Sequence, residues 1–189
     1  MRRALIVMMA MVCGARIASA QVAIQRISDQ VALGGAIGRT GNGEDNGGTE
    51  AAALVEIPAA PAWRIRGDVG YARVSFPRLI APPSTRQQET VSLTRGTVAL
   101  VHRLRTGPVA PYVGGGAAAY RYAVARGTET FPTRLGLFGL AGLEVPTDTQ
   151  VGITAEIQVR NFASPPVPGP AAIPTLFPFA FLVGARWRF

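Results

Sequence analysis

The chain has no lysine; all nineteen of its basic side chains are arginine. It has one cysteine, Cys13, and its four methionines lie at positions 1, 8, 9 and 11. Beyond residue 13 there is therefore no thiol for a disulfide, a thiolate metal site or a cysteine nucleophile. A single histidine, His102, excludes a histidine-rich metal site. No apolar run is long enough for a membrane helix, and no heptad or 3.6-residue apolar period appears beyond the first twenty residues. Helical and coiled-coil architectures are thereby excluded.

What is present begins with an export pattern. Arg2 and Arg3 precede the apolar run Ala4 to Val12, and Ala18-Ser19-Ala20 supplies small residues at a cleavage position. A signal peptide is expected over 1–20, with the mature chain over 21–189. The expected mature chain carries sixteen arginines against eleven Asp and Glu, a formal balance of +5. The arginines are spread one or two per segment and form no basic run, so nucleic acid is not an expected partner. Anionic lipid, or pairing inside a closed barrel, accounts for the excess.

Fifteen prolines punctuate the chain, and between their clusters lie proline-free stretches suited to strands. Membrane strands need about 9–11 residues to cross the hydrocarbon. Eight strands are predicted, near 29–39, 50–57, 63–75, 91–104, 111–124, 134–145, 150–162 and 177–189. The connections alternate. Longer ones follow the odd strands (40–49, 76–90, 125–133, 163–176) and shorter ones follow the even strands. That asymmetry matches short periplasmic turns and longer outer loops, with both termini on the periplasmic side.

Within the strands, apolar and polar residues alternate. Val151, Ile153, Ala155, Ile157 and Val159 oppose Gly152, Thr154, Glu156, Gln158 and Arg160. Strand eight sets Phe179, Phe181, Val183, Ala185, Trp187 and Phe189 against Ala180, Leu182, Gly184, Arg186 and Arg188. In strand five, Tyr112, Ala118, Tyr120 and Tyr122 oppose Gly115, Ala117, Ala119 and Arg121. A membrane barrel turns its apolar face to lipid; a soluble lipocalin-like barrel would turn it inward around a ligand. Trp63, Tyr112 and Trp187 at one end, with Tyr71, Tyr122 and Phe179 at the other, are expected to form two interfacial girdles. Glu56, Arg64, Arg66, Asp68, Arg95, Arg103, Arg121, Glu144, Glu156, Arg160, Arg186 and Arg188 are expected inside as a lumen charge network.

The last strand, with Phe189 behind Trp187, Val183, Phe181 and Phe179, resembles the C-terminal strand of bacterial outer-membrane barrels. The segments Pro111 to Gly116 and Gly142 to Pro146 resemble strand starts and turns of small barrels of the OmpA/OmpX type. The resemblance implies an all-β, eight-stranded up-and-down transmembrane barrel in the cell outer membrane. It also implies that the alternating terminal strand is read by the barrel-assembly machinery. A monomer embedded in outer-membrane lipid is expected, with no cofactor and an unidentified surface partner. The expected role is non-enzymatic: membrane structure or surface interaction through four outer loops. Some small barrels modify lipid A using a His with a nearby Ser or acid. His102 has no Ser at a close same-face position, so that alternative stays second, beside a soluble periplasmic ligand-binding barrel.

The segment 40–49 holds Gly-Asn-Gly-Glu-Asp-Asn-Gly-Gly but lacks the spacing and closing Glu of a calcium loop. Gly114-Gly115-Gly116 precedes no helix that could cradle phosphate. A mobile acidic loop and a curved strand are the corresponding expectations. The proline-rich stretch 164–174 is expected to be a stiff surface loop.

Overall fold

The computed structural model describes residues 30–41, 47–80, 85–104, 109–124, 131–147, 150–162 and 178–189. The expected signal segment 1–20, the acidic stretch at 42–46 and the proline-rich stretch 164–174 lie outside the described residues. The strands are β1 (Ala32–Gly41), β2 (Gly47–Ala60), β3 (Trp63–Ile80), β4 (Thr85–Arg103), β5 (Ala110–Val124), β6 (Arg134–Pro146), β7 (Val151–Asn161) and β8 (Phe179–Arg188). Each pairs antiparallel with its sequence neighbour, and β1 pairs with β8, closing the barrel in simple up-and-down order. Closure leaves no strand edge along the wall, which a lipid environment demands because hydrocarbon offers no partner to a free amide.

The register fixes the stagger. Ala32 faces Arg188 directly across the β1–β8 seam. Followed the other way around the ring, Ala32 leads through Glu56, Arg66, Ala99, Gly116, Phe138 and Arg160. The Arg160 amide then donates to the Pro178 carbonyl at 2.8 Å. The path thus lands ten residues short of Arg188. Such a stagger tilts the strands by about 40° and gives an interior that side chains alone can fill. The first and last described residues, Gln30 and Phe189, lie at one rim, called here the terminal rim; the opposite end is the distal rim.

Strand centres fall where alternation predicts them, and the ends differ. Within the stretch 76–90, expected as a loop, residues 76–80 and 85–90 instead continue β3 and β4 as a two-stranded ribbon. The β3–β4 ladder runs out to Ile80 opposite Thr85. The flanking ladders stop at Gly48 opposite Val74 and at Val91 opposite Val124. Pro77 suggested a strand end because it lacks an N–H. Beyond Val74, however, β3 has a free edge, and a missing donor costs nothing there. At the terminal rim, β2 and β3 meet through Pro61 and Ala62. Ala62 has φ of 118°, a region L-residues avoid. Its carbonyl accepts from the Arg103 amide at 2.8 Å, which helps hold the turn in place.

Candidate functional site

Seven arginines and five carboxylates are buried inside the barrel. On β3, Arg64, Arg66 and Asp68 share the inward face with the buried Ala72 and Val74, as the period of two requires. Glu50 and Glu56 come from β2, Arg95 and Arg103 from β4, Glu144 from β6, Glu156 and Arg160 from β7, and Arg186 and Arg188 from β8. Eleven of these side chains form one connected ladder of alternating sign along the axis. Near the distal rim, Arg160 pairs with Glu50 at 2.6 Å, and Glu50 with Arg95 at 2.8 Å. Arg95 also pairs with Asp68, and Asp68 with Arg66 at 3.5 Å. Arg66 reaches Glu156 at 2.5 Å, and Arg186 lies 3.7 Å from the same carboxylate. At the terminal rim, Arg186 and Arg103 each pair with both Glu56 and Glu144, at 2.8–3.2 Å. Arg188 pairs with Glu144. Arg64 donates to the Gln30 carbonyl at 2.6 Å, tying the start of β1 to β3.

Isolated ions in such a place would cost several kcal/mol each, so each charge needs its partner. Glu50 is a ladder member that sequence reasoning missed, because it stood at the expected boundary of strand two. Its even spacing from Glu56 was the available signal. Gln158 was read as inward but not as a relay. It donates to Glu156 at 2.7 Å and accepts from Arg160 at 2.6 Å.

Strand β5 corrects three expectations. Tyr112 and Tyr122 are buried in the lumen, at 1% and 2% exposure, and are not girdle aromatics. Arg121 is exposed on the outer wall and does not belong to the lumen network. The reason is the amphipathic character of tyrosine. The Tyr112 hydroxyl donates to Glu156 at 2.9 Å, and Arg186 lies over its ring at 4.7 Å. The opposite face of β5, with Gly115, Ala117 and Ala119, is small and apolar enough to meet lipid. Arg121, next to the distal end of the strand, can extend toward the rim. Gly142 makes room for the inward tyrosine: a Cβ there would lie 2.4 Å from the Tyr112 ring and 2.7 Å from the Ala155 carbonyl oxygen.

The interior is not polar throughout. Toward the distal rim, Val74, Val91, Leu93, Tyr120, Tyr122, Phe138 and Phe162 form a buried apolar cluster, with Phe131 packed against it. Tyr120 stacks on Phe162 with ring centroids 4.5 Å apart. The ladder and this cluster both line the barrel interior.

The outer wall is the reverse. Leu135 is 82% exposed, Ile37 70% and Val69 64%, and Ile153, Ile157 and Val159 are each more than half exposed. Trp63 and Trp187 are exposed at the terminal rim, and Tyr71 and Phe179 toward the distal one. Phe181, Val183 and Phe189 continue the exposed face of the last strand. His102 lies on this outer side, opposite Trp63 on one neighbour strand and Val113 on the other. Its ring centroid is 4.5 Å from that of Trp63. It faces away from the ladder, and no group of three or more potential metal ligands occurs among the described residues.

No protein-family model and no curated protein matches the chain. Solved structures do. Neisserial surface protein A superposes with a TM-score of 0.60 at 16% identity, over 85% of this chain and 97% of that one. The outer membrane protein OprG from Pseudomonas aeruginosa gives 0.59 at 12% identity, over 85% and 95%. The N-terminal β-barrel domain of Pseudomonas aeruginosa OprF gives 0.51 at 9% identity, over 85% and 98%. At these identities the likeness is one of fold: the chain is a closed eight-stranded antiparallel barrel of the kind seen in small outer-membrane proteins of the OmpA/OmpX type.

Proposed function

We propose that the protein is a non-enzymatic integral barrel of the cell outer membrane, serving envelope structure or surface interaction. The observation that carries this reading is the inversion of polarity between wall and lumen. Large apolar side chains stand exposed around the barrel while twelve charged groups are buried inside it. A soluble ligand-binding barrel would need the opposite arrangement. A lipid-modifying enzyme would need a polar partner beside His102, and its cross-strand neighbours are Trp63 and Val113. Neisserial surface protein A and OprG are surface and outer-membrane proteins by name, and we extend that location to this chain. The distal rim then faces outward, and the connections after β1, β3, β5 and β7 form the surface available to a partner. The filled lumen supports them as a rigid post.

Fractionation with heat-dependent gel mobility tests this. The protein is expected in the outer-membrane fraction, with unboiled and boiled samples migrating differently. Recovery in the soluble periplasm with a single mobility would refute the reading.

Assembly is assigned to the outward face of β8. Phe179, Phe181, Val183 and Trp187 alternate along it and end on Phe189, presenting a continuous apolar edge to the barrel-assembly machinery before closure against β1. Phe189→Asp is expected to lower the heat-modifiable outer-membrane population several-fold while leaving export intact. Unchanged levels in that fraction would remove the assignment.

A further inference from the structure

Among the residues whose side chains are described, the outward-facing arginines are Arg39, Arg73 and Arg121, and all three stand toward the distal rim. Two of them share one row of the sheet. Arg39 on β1 faces Thr49 on β2, and Thr49 faces Arg73 on β3; all three are exposed. Strand spacing places the Arg39 and Arg73 backbones about 10 Å apart across β2, a span that two guanidinium groups can close around one phosphate. A Cβ on Gly47 would lie 3.7 Å from Nη2 of Arg39, so this guanidinium already leans over β2, along the row and toward the rim. No carboxylate of the described residues pairs with either arginine.

Below the row, on the terminal side, the wall is hollowed. A recess of about 690 Å³ has Ala51 and Ala53 in its floor and Ile37, Val69 and Tyr71 along its banks. It shares Ala53 and Val69 with a second recess of about 700 Å³ that continues toward β5. A small-residue floor between larger apolar banks fits an alkyl chain, and the two arginines stand at the end where a headgroup would lie.

We propose that this groove and the Arg39–Thr49–Arg73 row form a binding site for one phosphate-bearing acylated glycolipid of the outer leaflet. An acyl chain lies in the groove and a phosphate between the two guanidinium groups. The assignment rests on the outer-membrane reading above. The other candidate occupant is a second copy of the barrel. A two-fold partner on this wall, with its axis along the membrane normal, would set Arg39 and Arg73 against their own copies at the same height, and like charges there oppose it.

The test is native mass spectrometry of the folded, detergent-solubilised barrel. The probes are lipid A, phosphatidylglycerol and phosphatidylcholine at matched concentrations. The expected result is a retained 1:1 lipid A adduct, stronger than either phospholipid adduct. Arg39→Gln with Arg73→Gln should weaken it at least about tenfold, the loss of one charge-assisted hydrogen bond or more. Ala51→Phe, on the exposed face, should weaken it comparably by filling the groove, while Arg121→Gln should not. Heat-modifiability shows that each variant is folded. Equal lipid A adducts in the wild type and the double variant overturn the site. Equal retention of phosphatidylglycerol overturns the glycolipid assignment. A wild-type dimer abolished by Ala51→Phe assigns the groove to a second copy instead. Fractionation separates these outcomes from failure of the location: an outer-membrane barrel that retains no lipid A loses only this site.

Discussion

Glu50→Gln is expected to destabilise the folded barrel by about 3–5 kcal/mol, the range for removing one partner of a buried ion pair. Glu50 accepts from Arg95 at 2.8 and 3.1 Å and from Arg160 at 2.6 and 2.8 Å. All three side chains are buried. The amide keeps the shape of the carboxylate but loses its charge, leaving Arg160 with no carboxylate, only neutral groups such as Gln158 and, at 5.9 Å, the Phe162 ring. Arg95 retains Asp68. Adding Arg160→Gln to Glu50→Gln should therefore recover a large part of the loss, because it removes the cation left alone. Urea titration of refolding into bilayers reads both variants. A Glu50→Gln barrel within 1 kcal/mol of wild type, or a double variant no better than the single one, would mean that the ladder does not behave as a network of obligate partners.

The second large effect belongs to the wall. Ile157 lies near the middle of β7 and is 53% exposed, opposite Ala141 and Phe181 on the neighbouring strands. In the membrane-embedded barrel, Ile157→Arg should cost about 2–4 kcal/mol, as for a charge near the bilayer midplane. Val145→Arg, beside the terminal rim, should cost about 0–1 kcal/mol, because depth sets the penalty. The gradient is the informative quantity. In water both positions would be surface sites with similarly small effects. Equal, small losses at Ile157 and Val145 would remove lipid from the account of the wall.

How much of this was legible depended on how sharply each strand separates its two chemistries. From Val151 to Val159 in β7, and throughout β8, every second residue is apolar, and the inward partners are Gln, Glu, Thr, Arg, Gly, Ala or Leu. The period of two assigns both faces there without tertiary information. Strand β5 is different. Its tyrosines carry an apolar ring and a hydroxyl, and the residues across from them at the strand's centre, Gly115, Ala117 and Ala119, are neutral toward either environment. Only the three-dimensional proximity of Tyr112 to Glu156 and Arg186 decides the face, and sequence spacing does not reveal it. Arg121 was misplaced because a charge was equated with the lumen, although an arginine close to a rim can reach headgroups. The ribbon beyond Val74 was hidden by Pro77, which marks a strand end only where both edges of the strand are paired. The ladder's partners, such as Arg160 with Glu50 at a separation of 110 residues, follow from the ten-residue stagger of the closed ring. Membership of the lumen could be read from alternation for most of these charges, but pairing could not.

The central claim is that β7 turns its apolar residues to lipid and its polar residues to the barrel interior. Cysteine scanning addresses it directly, because the sequence from Gln21 onward contains no thiol. Single cysteines at Ile153, Ala155, Ile157 and Val159, and at Thr154 and Gln158, would be refolded into bilayers. Each would then be exposed to a lipid-soluble and a water-soluble thiol reagent. The account predicts labelling by the lipid-soluble reagent at 153, 155, 157 and 159, and protection from it at 154 and 158. Labelling at 154 and 158 by the lipid-soluble reagent, or equal labelling at all six positions, would contradict it.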